Sequence, residues 1–274
     1  MLNKLIFTAT IVLNSLLSFS QNERAVELHD AGYLMHLAGS YEKAIEFYNE
    51  SIEIDNKFVE SYIDRGSTYE EMNEFEKALK DFNKVIELNI RLVDKAYNNR
   101  GNALRNLGRY SEAEESFKKA LELDPEMFEA YYNRAQMYAK LGRTDDAIND
   151  YSSAIKLNSK YSNAYINRGN LKYSKGNLNG AITDYTSAIN LNPSNEHEVR
   201  FNRGMCYTAN RQYAEAKSDF EKYIEVDEDS YDGYYNIAVC CYYLEQFEEA
   251  CSKAKKAKAL GKADADGLIE AACK

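Results

Sequence analysis

Residues 94–127 read DKAYNNRGNALRNLGRYSEAEESFKKALELDPEM. In this stretch Ala113 stands twelve residues after Gly101, and Phe117 follows four residues after Ala113. Residues four apart lie on one face of an α-helix. Gly108 stands between the two halves, where it favours a turn. The stretch therefore predicts two helices joined by a short turn, with Gly101 and Ala113 at the point where the helices approach each other.

The same arrangement recurs along most of the chain. A small residue stands at intervals of 34 or 35 residues, at Gly32, Gly66, Gly101, Ala135, Gly169, Gly204 and Ala238. Twelve residues after each one comes an alanine, at Ala44, Ala78, Ala113, Ala147, Ala181, Ala216 and Ala250. An aromatic residue follows four residues later at Tyr48, Phe82, Phe117, Tyr151, Tyr185 and Phe220. Because glycine within a helix costs about 1 kcal/mol relative to alanine, its recurrence indicates close helix packing beside an aromatic ring. We therefore expect these glycines and alanines to be structural.

The pattern resembles the tetratricopeptide repeat family over residues 25–264. The resemblance implies an all-α fold, a right-handed superhelical solenoid of seven helix-turn-helix repeats. In such an array the first helix of each repeat, helix A, lines a concave groove. We place the repeats at residues 25–58, 59–93, 94–127, 128–161, 162–196, 197–230 and 231–264. Residues 265–274 are predicted to form a C-terminal capping helix.

The first 20 residues differ from the rest of the chain. A basic start ending at Lys4 precedes the mainly apolar run from Leu5 to Leu17, and small residues follow at Ser18 and Ser20. This order is typical of a secretory signal peptide, with cleavage near Ser20/Gln21. The alternative is a membrane anchor, but the apolar run is shorter than the roughly 20 residues that a spanning helix needs. We therefore expect a periplasmic or secreted protein.

Composition and motifs argue against several functional classes. The net charge of −10 disfavours nucleic acid as a partner, since phosphates require a basic surface. No phosphate-binding glycine loop, zinc-protease helix or nucleophile elbow occurs. The three histidines, His29, His36 and His197, are predicted to be solvent-exposed and to bind no metal. We expect that the chain binds no cofactor and is not an enzyme. The alternative is an enzyme whose active site the sequence motifs do not reveal.

The resemblance places the binding surface on helices A. Its candidate partner-binding residues are Asn98, Asn99, Asn102, Arg105, Tyr132, Asn133, Asn167, Asn170, Phe201, Asn202, Tyr235, Asn236 and Tyr242. The groove is expected to be acidic near its start, polar and basic in the middle, and aromatic toward its end. Amide side chains donate and accept hydrogen bonds and suit a peptide backbone. Two structural alternatives stay open: the asparagines stabilise the repeat, and Tyr242 packs against the terminal helix.

An arginine precedes the small residue in five repeats, at Arg65, Arg100, Arg134, Arg168 and Arg203. Sixteen residues after four of them stands an aspartate, at Asp81, Asp150, Asp184 and Asp219. Ser116 takes this place after Arg100. We predict partly buried Arg–Asp ion pairs. The alternative is that the arginines are displayed for an acidic ligand.

All five cysteines lie in the last third, at Cys206, Cys240, Cys241, Cys251 and Cys273. They lack the paired spacing of a zinc site. Two alternatives are open for these cysteines: a disulfide from Cys251 to Cys273 that attaches the terminal helix, or free thiols packed in the interior.

The function that the sequence features together favour is a scaffold or adaptor that binds a protein or peptide. The rival functions are a homodimer formed through the C-terminal repeat, and an accessory subunit of an envelope assembly, secretion or carbohydrate-handling complex.

Overall fold

The computed structural model describes residues 22–273, and all regular structure in that range is helical. The predicted signal peptide lies outside the described residues. The fifteen helices of this range are α1 (22–37), α2 (Tyr41–Ile54), α3 (Val59–Glu71), α4 (Phe75–Leu88), α5 (Val93–Asn106), α6 (Tyr110–Leu123), α7 (Phe128–Lys140), α8 (Thr144–Leu157), α9 (Ser162–Ser174), α10 (Leu178–Asn190), α11 (Glu196–Ala209), α12 (Tyr213–Ile224), α13 (Tyr231–Tyr243), α14 (Phe247–Ala259) and α15 (Asp266–Ala272).

The helices form seven hairpins between residues 22 and 259, followed by α15. Odd-numbered helices up to α13 are the first members, helices A, and even-numbered helices are the second members, helices B. The all-α fold and the helix-turn-helix hairpins are as predicted. The chain divides into two compact units, one ending at Met137 and the other beginning at Tyr138. In the range from residue 22 to 273, no helix combines the length and apolar character needed to cross a bilayer.

In the hairpins α3–α4, α5–α6, α9–α10 and α11–α12, a glycine of helix A packs against an aromatic ring of helix B. A Cβ atom added at Gly66 would lie 2.5 Å from the Phe82 ring. The same contact recurs at 2.6 to 2.9 Å in the pairs Gly101–Phe117, Gly169–Tyr185 and Gly204–Phe220. The helix B alanines have no exposed surface, namely Ala78, Ala113, Ala147, Ala181 and Ala216. Because protein interiors are close-packed, any larger side chain here would force the two helices apart.

The turn within each hairpin requires a left-handed residue. Gly39, Gly108, Gly142 and Gly176 have φ between 72° and 76°, a region that glycine adopts without strain. In three other hairpins the same place is held by Asn73, Arg211 and Glu245, with φ of 60° to 61°. A left-handed conformation costs a non-glycine residue about 1–2 kcal/mol. The tight hairpin geometry is therefore imposed by helix packing even where the turn residue opposes it.

The second unit ends in a covalently attached helix. Cys251 of α14 and Cys273 after α15 form a disulfide with a Cα–Cα distance of 5.0 Å. Of the two alternatives for this pair, the disulfide is therefore correct. Ala272 of α15 is buried against the core of the last hairpins. A cross-link that closes a loop of this length stabilises a fold by about 3 kcal/mol. The remaining three cysteines are buried free thiols, at Cys206, Cys240 and Cys241.

Candidate functional site

In the first unit, polar side chains join successive helices A along one surface. His29 of α1 contacts Asp64 of α3 (Nε2–Oδ2, 2.8 Å), and Asn133 of α7 donates to Asn98 of α5 (Nδ2–Oδ1, 3.0 Å). Both contacts join residues 35 positions apart, so they occupy the same register of the repeat. We call the surface of α1, α3, α5 and α7 around these four residues the A-face.

The amides of the A-face form a short relay. Asn133 donates to Asn98, which in turn donates from its Nδ2 to Oδ1 of Asn99 at 3.1 Å. Asn98 is 8% exposed, so its amide is largely used within the protein. Asn99 is half-buried and receives the last hydrogen bond of the relay through its oxygen. This leaves the Nδ2 group of Asn99 as a donor for a bound molecule.

Asn102 lies one helical turn after Asn98 on α5. Its Oδ1 atom is buried and has no hydrogen-bond partner among the described residues. A buried acceptor without a donor costs about 1–3 kcal/mol. Almost all buried polar atoms in native proteins are hydrogen-bonded. An N–H group that reached this atom would remove the cost.

Charged and polar residues continue the A-face beyond Asn102. Arg105 donates from Nη1 to Oε1 of Gln136 at 2.5 Å, and Gln136 donates from Nε2 to the Tyr132 hydroxyl at 3.0 Å. Burial raises the pKa of Glu70 on α3 to about 8, with Arg105 opposing the shift and Glu71 adding to it. The protonated form of Glu70 is therefore favoured compared with an exposed glutamate. It can donate a hydrogen bond as well as accept one.

A pocket of about 260 Å³ opens beside the relay. Its walls come from the start of α5, the turn after α6 and the start of α7. The lining residues are Asp94, Lys95, Asn98, Asn99, Asp124, Met127 and Glu129. Three carboxylates thus face one ammonium group, and the pocket is acidic. We call it the α5–α7 pocket.

The predicted asparagines of the second unit make local contacts. Asn170 accepts a hydrogen bond from the Tyr185 hydroxyl at 2.6 Å, and Asn236 donates to the backbone oxygen of Asp232 in its own helix. Asn167 and Asn202 are half-buried. The local contacts of Asn170 and Asn236 agree with a structural role for part of the asparagine series. Binding by these four residues stays a prediction.

The predicted aromatic residues of the second unit are half-buried. Phe201 packs on Phe220 and Tyr223, with ring centroids 5.4 and 4.8 Å apart. Tyr242 lies 5.7 Å from Phe247, which begins α14. Lys262 places its Nζ 5.1 Å from the Tyr235 ring. These rings therefore contribute to hairpin packing, and their role in binding stays a prediction.

The predicted Arg–Asp pairs are confirmed in three hairpins. Arg65 donates to both carboxylate oxygens of Asp81, from Nε at 2.8 Å and from Nη2 at 2.6 Å. The same two-point contact joins Arg168 to Asp184 and Arg203 to Asp219. The remaining nitrogen, Nη1, donates to the preceding helix B, where the acceptors are Asn49, Ser152 and Thr186.

These arginines thus join the two helices of one hairpin to the hairpin before it. In the third pair, the hydrogen bonds to Asp219 raise the pKa of Arg203 above its ordinary value. The five N–H donors of a guanidinium group lie in one plane. In these three arginines, Nε and Nη2 donate to the aspartate and Nη1 donates to the preceding helix B. Display of these three arginines for an acidic ligand is therefore not the role that the structure supports.

The prediction of solvent-exposed histidines was wrong, because His29, His36 and His197 are all partly buried. The His29 side chain is only 14% exposed and contacts Asp64. Nδ1 of His36 lies 2.9 Å from Oγ1 of Thr68. The imidazole rings of His29 and His36 on α1 therefore both contact α3. The sequence showed that the two histidines share a helix face but not that α3 covers it. Among residues 22–273 no group of three His, Cys, Asp or Glu side chains is placed to hold a metal ion.

Models of the tetratricopeptide repeat match residues 28–58, 59–89, 94–127, 128–161 and 197–230, and a further TPR repeat model matches residues 169–210. Heat shock protein STI1 of Saccharomyces cerevisiae is 37% identical over 103 residues, which are 36% of this chain and 17% of that protein. RNA polymerase II-associated protein 3 of Homo sapiens is 32% identical over 109 residues, 40% of this chain and 16% of that protein. The chain thus spans less than a fifth of the length of these relatives.

Solved structures share the fold. The C-terminal part of a TPR repeat-containing protein from Cytophaga hutchinsonii has a TM-score of 0.68 at 18% identity, covering 89% of this chain and 98% of that one. A tetratricopeptide repeat protein from Parabacteroides merdae has a TM-score of 0.57 at 19% identity, covering 92% and 100%. YrrB, described as a TPR protein with an unusual peptide-binding site, has a TM-score of 0.52 at 22% identity, covering 81% and 95%.

The repeat models match most of the length of the hairpin array, and the neighbouring structures have the same all-α architecture. The hairpin contacts explain the match, since the glycine, alanine and aromatic positions of the repeat are the residues that bring the two helices together. This chain belongs to the tetratricopeptide repeat family.

Proposed function

We propose that this chain is a non-catalytic scaffold, exported from the cytoplasm, that binds a polypeptide on its A-face. Proteins of the tetratricopeptide repeat family mediate protein–protein interactions, and the fold is typically non-catalytic. YrrB, which shares this fold, has a peptide-binding site, and this supports the same kind of ligand for the present chain. The proposal assigns the binding surface of the first unit to α3, α5 and α7.

The observation that carries the proposal is the unpartnered Oδ1 atom of Asn102. Asn99 stands three residues earlier on α5, and the amide relay leaves its Nδ2 group unused. An extended backbone offers an N–H and a C=O at every residue except proline. It can therefore satisfy both asparagines at once. A nucleic acid backbone would bring phosphates, which the acidic α5–α7 pocket disfavours.

Affinity capture tests the A-face. The chain from Gln21 onward serves as bait in an extracellular or envelope fraction, and captured proteins are identified by mass spectrometry. The variant Asn99→Ala with Asn102→Ala is expected to lose the main captured protein. The matched control, Asn83→Ala with Asn149→Ala, changes two exposed asparagines on helices B and is expected to retain it. Equal capture by both variants would exclude the A-face as the binding surface.

Export is a separate part of the proposal and depends on residues 1–20. The basic start, the apolar run and the small residues at Ser18 and Ser20 support cleavage before Gln21. The disulfide between Cys251 and Cys273 supports an oxidising compartment. The test is the intact mass of the chain recovered from its source after cell fractionation. An uncleaved chain in the cytoplasmic fraction would contradict this part alone.

Self-association through the C-terminal repeat is the second candidate. Tyr243 and Phe247 are 58% and 46% exposed, and Tyr243 stacks on Tyr213 with ring centroids 4.5 Å apart. Exposed neighbouring aromatic rings are typical of contact surfaces between proteins. Light scattering of the chain from Gln21 is expected to give a dimer that Tyr243→Ser with Phe247→Ser converts to a monomer. A wild-type monomer at all concentrations tested would exclude this candidate.

A further inference from the structure

We infer that the polypeptide bound on the A-face places a basic side chain, lysine or arginine, in the α5–α7 pocket. The inference rests on the proposed function and identifies the chemistry of the partner. It makes the site selective for a cationic residue held next to a backbone contact. The charge of the pocket, its apolar wall at Met127 and its position along α5 each support this inference.

The charge of the pocket favours a cation. Asp94 lies in the first turn of α5, Glu129 in the first turn of α7, and Asp124 ends α6. One oxygen of Asp124, Oδ1, accepts the backbone N–H of Glu126 at 2.9 Å, so this carboxylate is held in place by its own turn. Lys95 is the one cation in the lining. A bound ammonium or guanidinium group would balance the excess of negative charge.

The remaining lining suits the stem of such a side chain. Met127 is 7% exposed and forms an apolar part of the wall, while Asn98 and Asn99 supply the polar part. Lysine and arginine combine an aliphatic stem with a charged end, and they bury the stem along apolar surface while the end reaches polar groups. A shorter acidic side chain would meet three carboxylates, and an aliphatic side chain would leave them without a partner.

The position of the pocket predicts the spacing of the ligand. Asn98 and Asn99 line the pocket, and Asn102 lies one helical turn further along α5. One turn advances about 5.4 Å, whereas an extended chain advances about 3.3 Å per residue. A backbone N–H bound by Asn102 is therefore one or two residues from the basic side chain. The expected recognition element is short, with one cation beside a backbone anchor.

Selection from a randomised decapeptide display library tests this inference on the chain from Gln21. Wild-type protein is expected to enrich peptides with lysine or arginine at one position. The variant Asp94→Asn with Glu129→Gln is expected to lose that enrichment. The matched control, Glu228→Gln with Asp229→Asn, removes two exposed carboxylates from the turn after α12 and is expected to keep it.

A selected peptide is then compared with its lysine→norleucine analogue by fluorescence anisotropy. Wild-type protein is expected to bind the lysine peptide about tenfold more tightly, the effect of about 1.4 kcal/mol. The pocket variant should bring the ratio of the two affinities close to one. The preference should also weaken at high salt, since the ion pair is partly open to solvent.

Different results would overturn the basic-residue inference and the proposal that the A-face binds a polypeptide. Peptides that bind equally with lysine, norleucine or glutamate, and that still lose affinity with Asn102→Ala, would overturn the basic-residue inference and leave the A-face as a peptide site. Absence of any enriched peptide, or binding that is unchanged by Asn99→Ala with Asn102→Ala, would overturn both. Enrichment of acidic peptides by the wild-type protein would overturn the inference directly.

Discussion

The second and third hairpins, α3–α4 and α5–α6, are built on the same packing but differ in their polar contacts. Gly66 and Gly101 approach the rings of Phe82 and Phe117 at nearly equal distances, 2.5 and 2.6 Å for an added Cβ atom. The second hairpin adds a two-point ion pair. In the third, buried Ser116 stands in place of the aspartate, and its hydroxyl donates to the backbone oxygen of Glu112.

The comparison of these two hairpins shows which contact the repeat needs, the helix packing, and which it can lack, the ion pair. A small residue is needed where the two helices cross, because the close-packed interior has no room for a larger side chain; alanine takes the place of glycine at Ala135 and Ala238. The ion pair is optional, since a small hydroxyl that bonds its own helix also leaves no unsatisfied atom. Arg100 keeps the cation–π contact that Arg65 also makes, with its Cζ 6.0 Å from the Tyr97 ring centroid against 5.5 Å from Arg65 to Tyr62. The polar contact that α5 of the third hairpin makes to the next helix A is the amide relay.

The largest effect is expected from removing the buried carboxylate of the second hairpin. Asp81→Ala leaves the guanidinium of Arg65 without its partner and should lower the free energy of unfolding by about 3–5 kcal/mol. Ser116→Ala, the matched change in the third hairpin, should cost less than about 1 kcal/mol. Urea unfolding followed by circular dichroism measures both. Equal losses would show that the aspartate contributes no more than the serine.

Adding one methyl group should affect the two hairpins alike. Gly66→Ala and Gly101→Ala each force the neighbouring phenylalanine ring to shift, at an expected cost of about 1–3 kcal/mol. Thermal unfolding compares them with Gly267→Ala, where a Cβ atom meets nothing within 4 Å. This control should be neutral or slightly stabilising. A change near zero at Gly66 would mean that the hairpin can open without loss.

The contacts between helices A should differ in their pH dependence. Burial alone would lower the pKa of His29, but its hydrogen bonds to Asp64 and Asp30 and their negative charges outweigh burial, so the pKa lies above its usual 6.5. The stability that this contact contributes is fully present at pH values below the pKa of His29 in the unfolded chain. It is lost as the pH rises through the pKa of His29 in the folded protein. The amide contact between Asn98 and Asn133 does not titrate.

Wild-type protein should therefore lose unfolding free energy through His29 as the pH rises from below the unfolded pKa of this side chain through its raised folded pKa. The variant His29→Gln should lose this share of the pH dependence, whereas Asn98→Ala should retain it. Urea unfolding at several pH values measures the difference. Stability that rises with pH through His29 would contradict the sign.

The smallest effect is expected when the third hairpin is given the missing carboxylate. Ser116→Asp places an acid sixteen residues after Arg100, the separation found in the confirmed pairs. The gain from the pair and the cost of burying the charge should nearly cancel, within about 1 kcal/mol. Combining it with Arg100→Ala should be destabilising by several times that amount. A large loss from the single variant would show that Arg100 cannot form the pair that Arg65 makes with Asp81.

Part of this molecule could be predicted because contacts within a hairpin repeat at a fixed separation. Gly66 and Phe82 are sixteen residues apart, and so are Arg65 and Asp81. Residues that recur together at one separation have a common geometry, so periodicity predicted both the packing and the ion pairs. Less of the proposed binding surface was predicted. Its helix A location came from the family resemblance, but the contact of His29 with Asp64 and the α5–α7 pocket were not found.

The amino-acid sequence by itself determined the helical hairpins and three of the Arg–Asp pairs, since each depends on helical periodicity and on side-chain size. Only the tertiary structure decided which polar atoms lack partners. Whether Oδ1 of Asn102 is satisfied depends on the helices beside α5, and whether Cys251 reaches Cys273 depends on how α15 returns to α14. Such contacts join particular neighbours rather than every repeat, so no spacing along the chain predicts them.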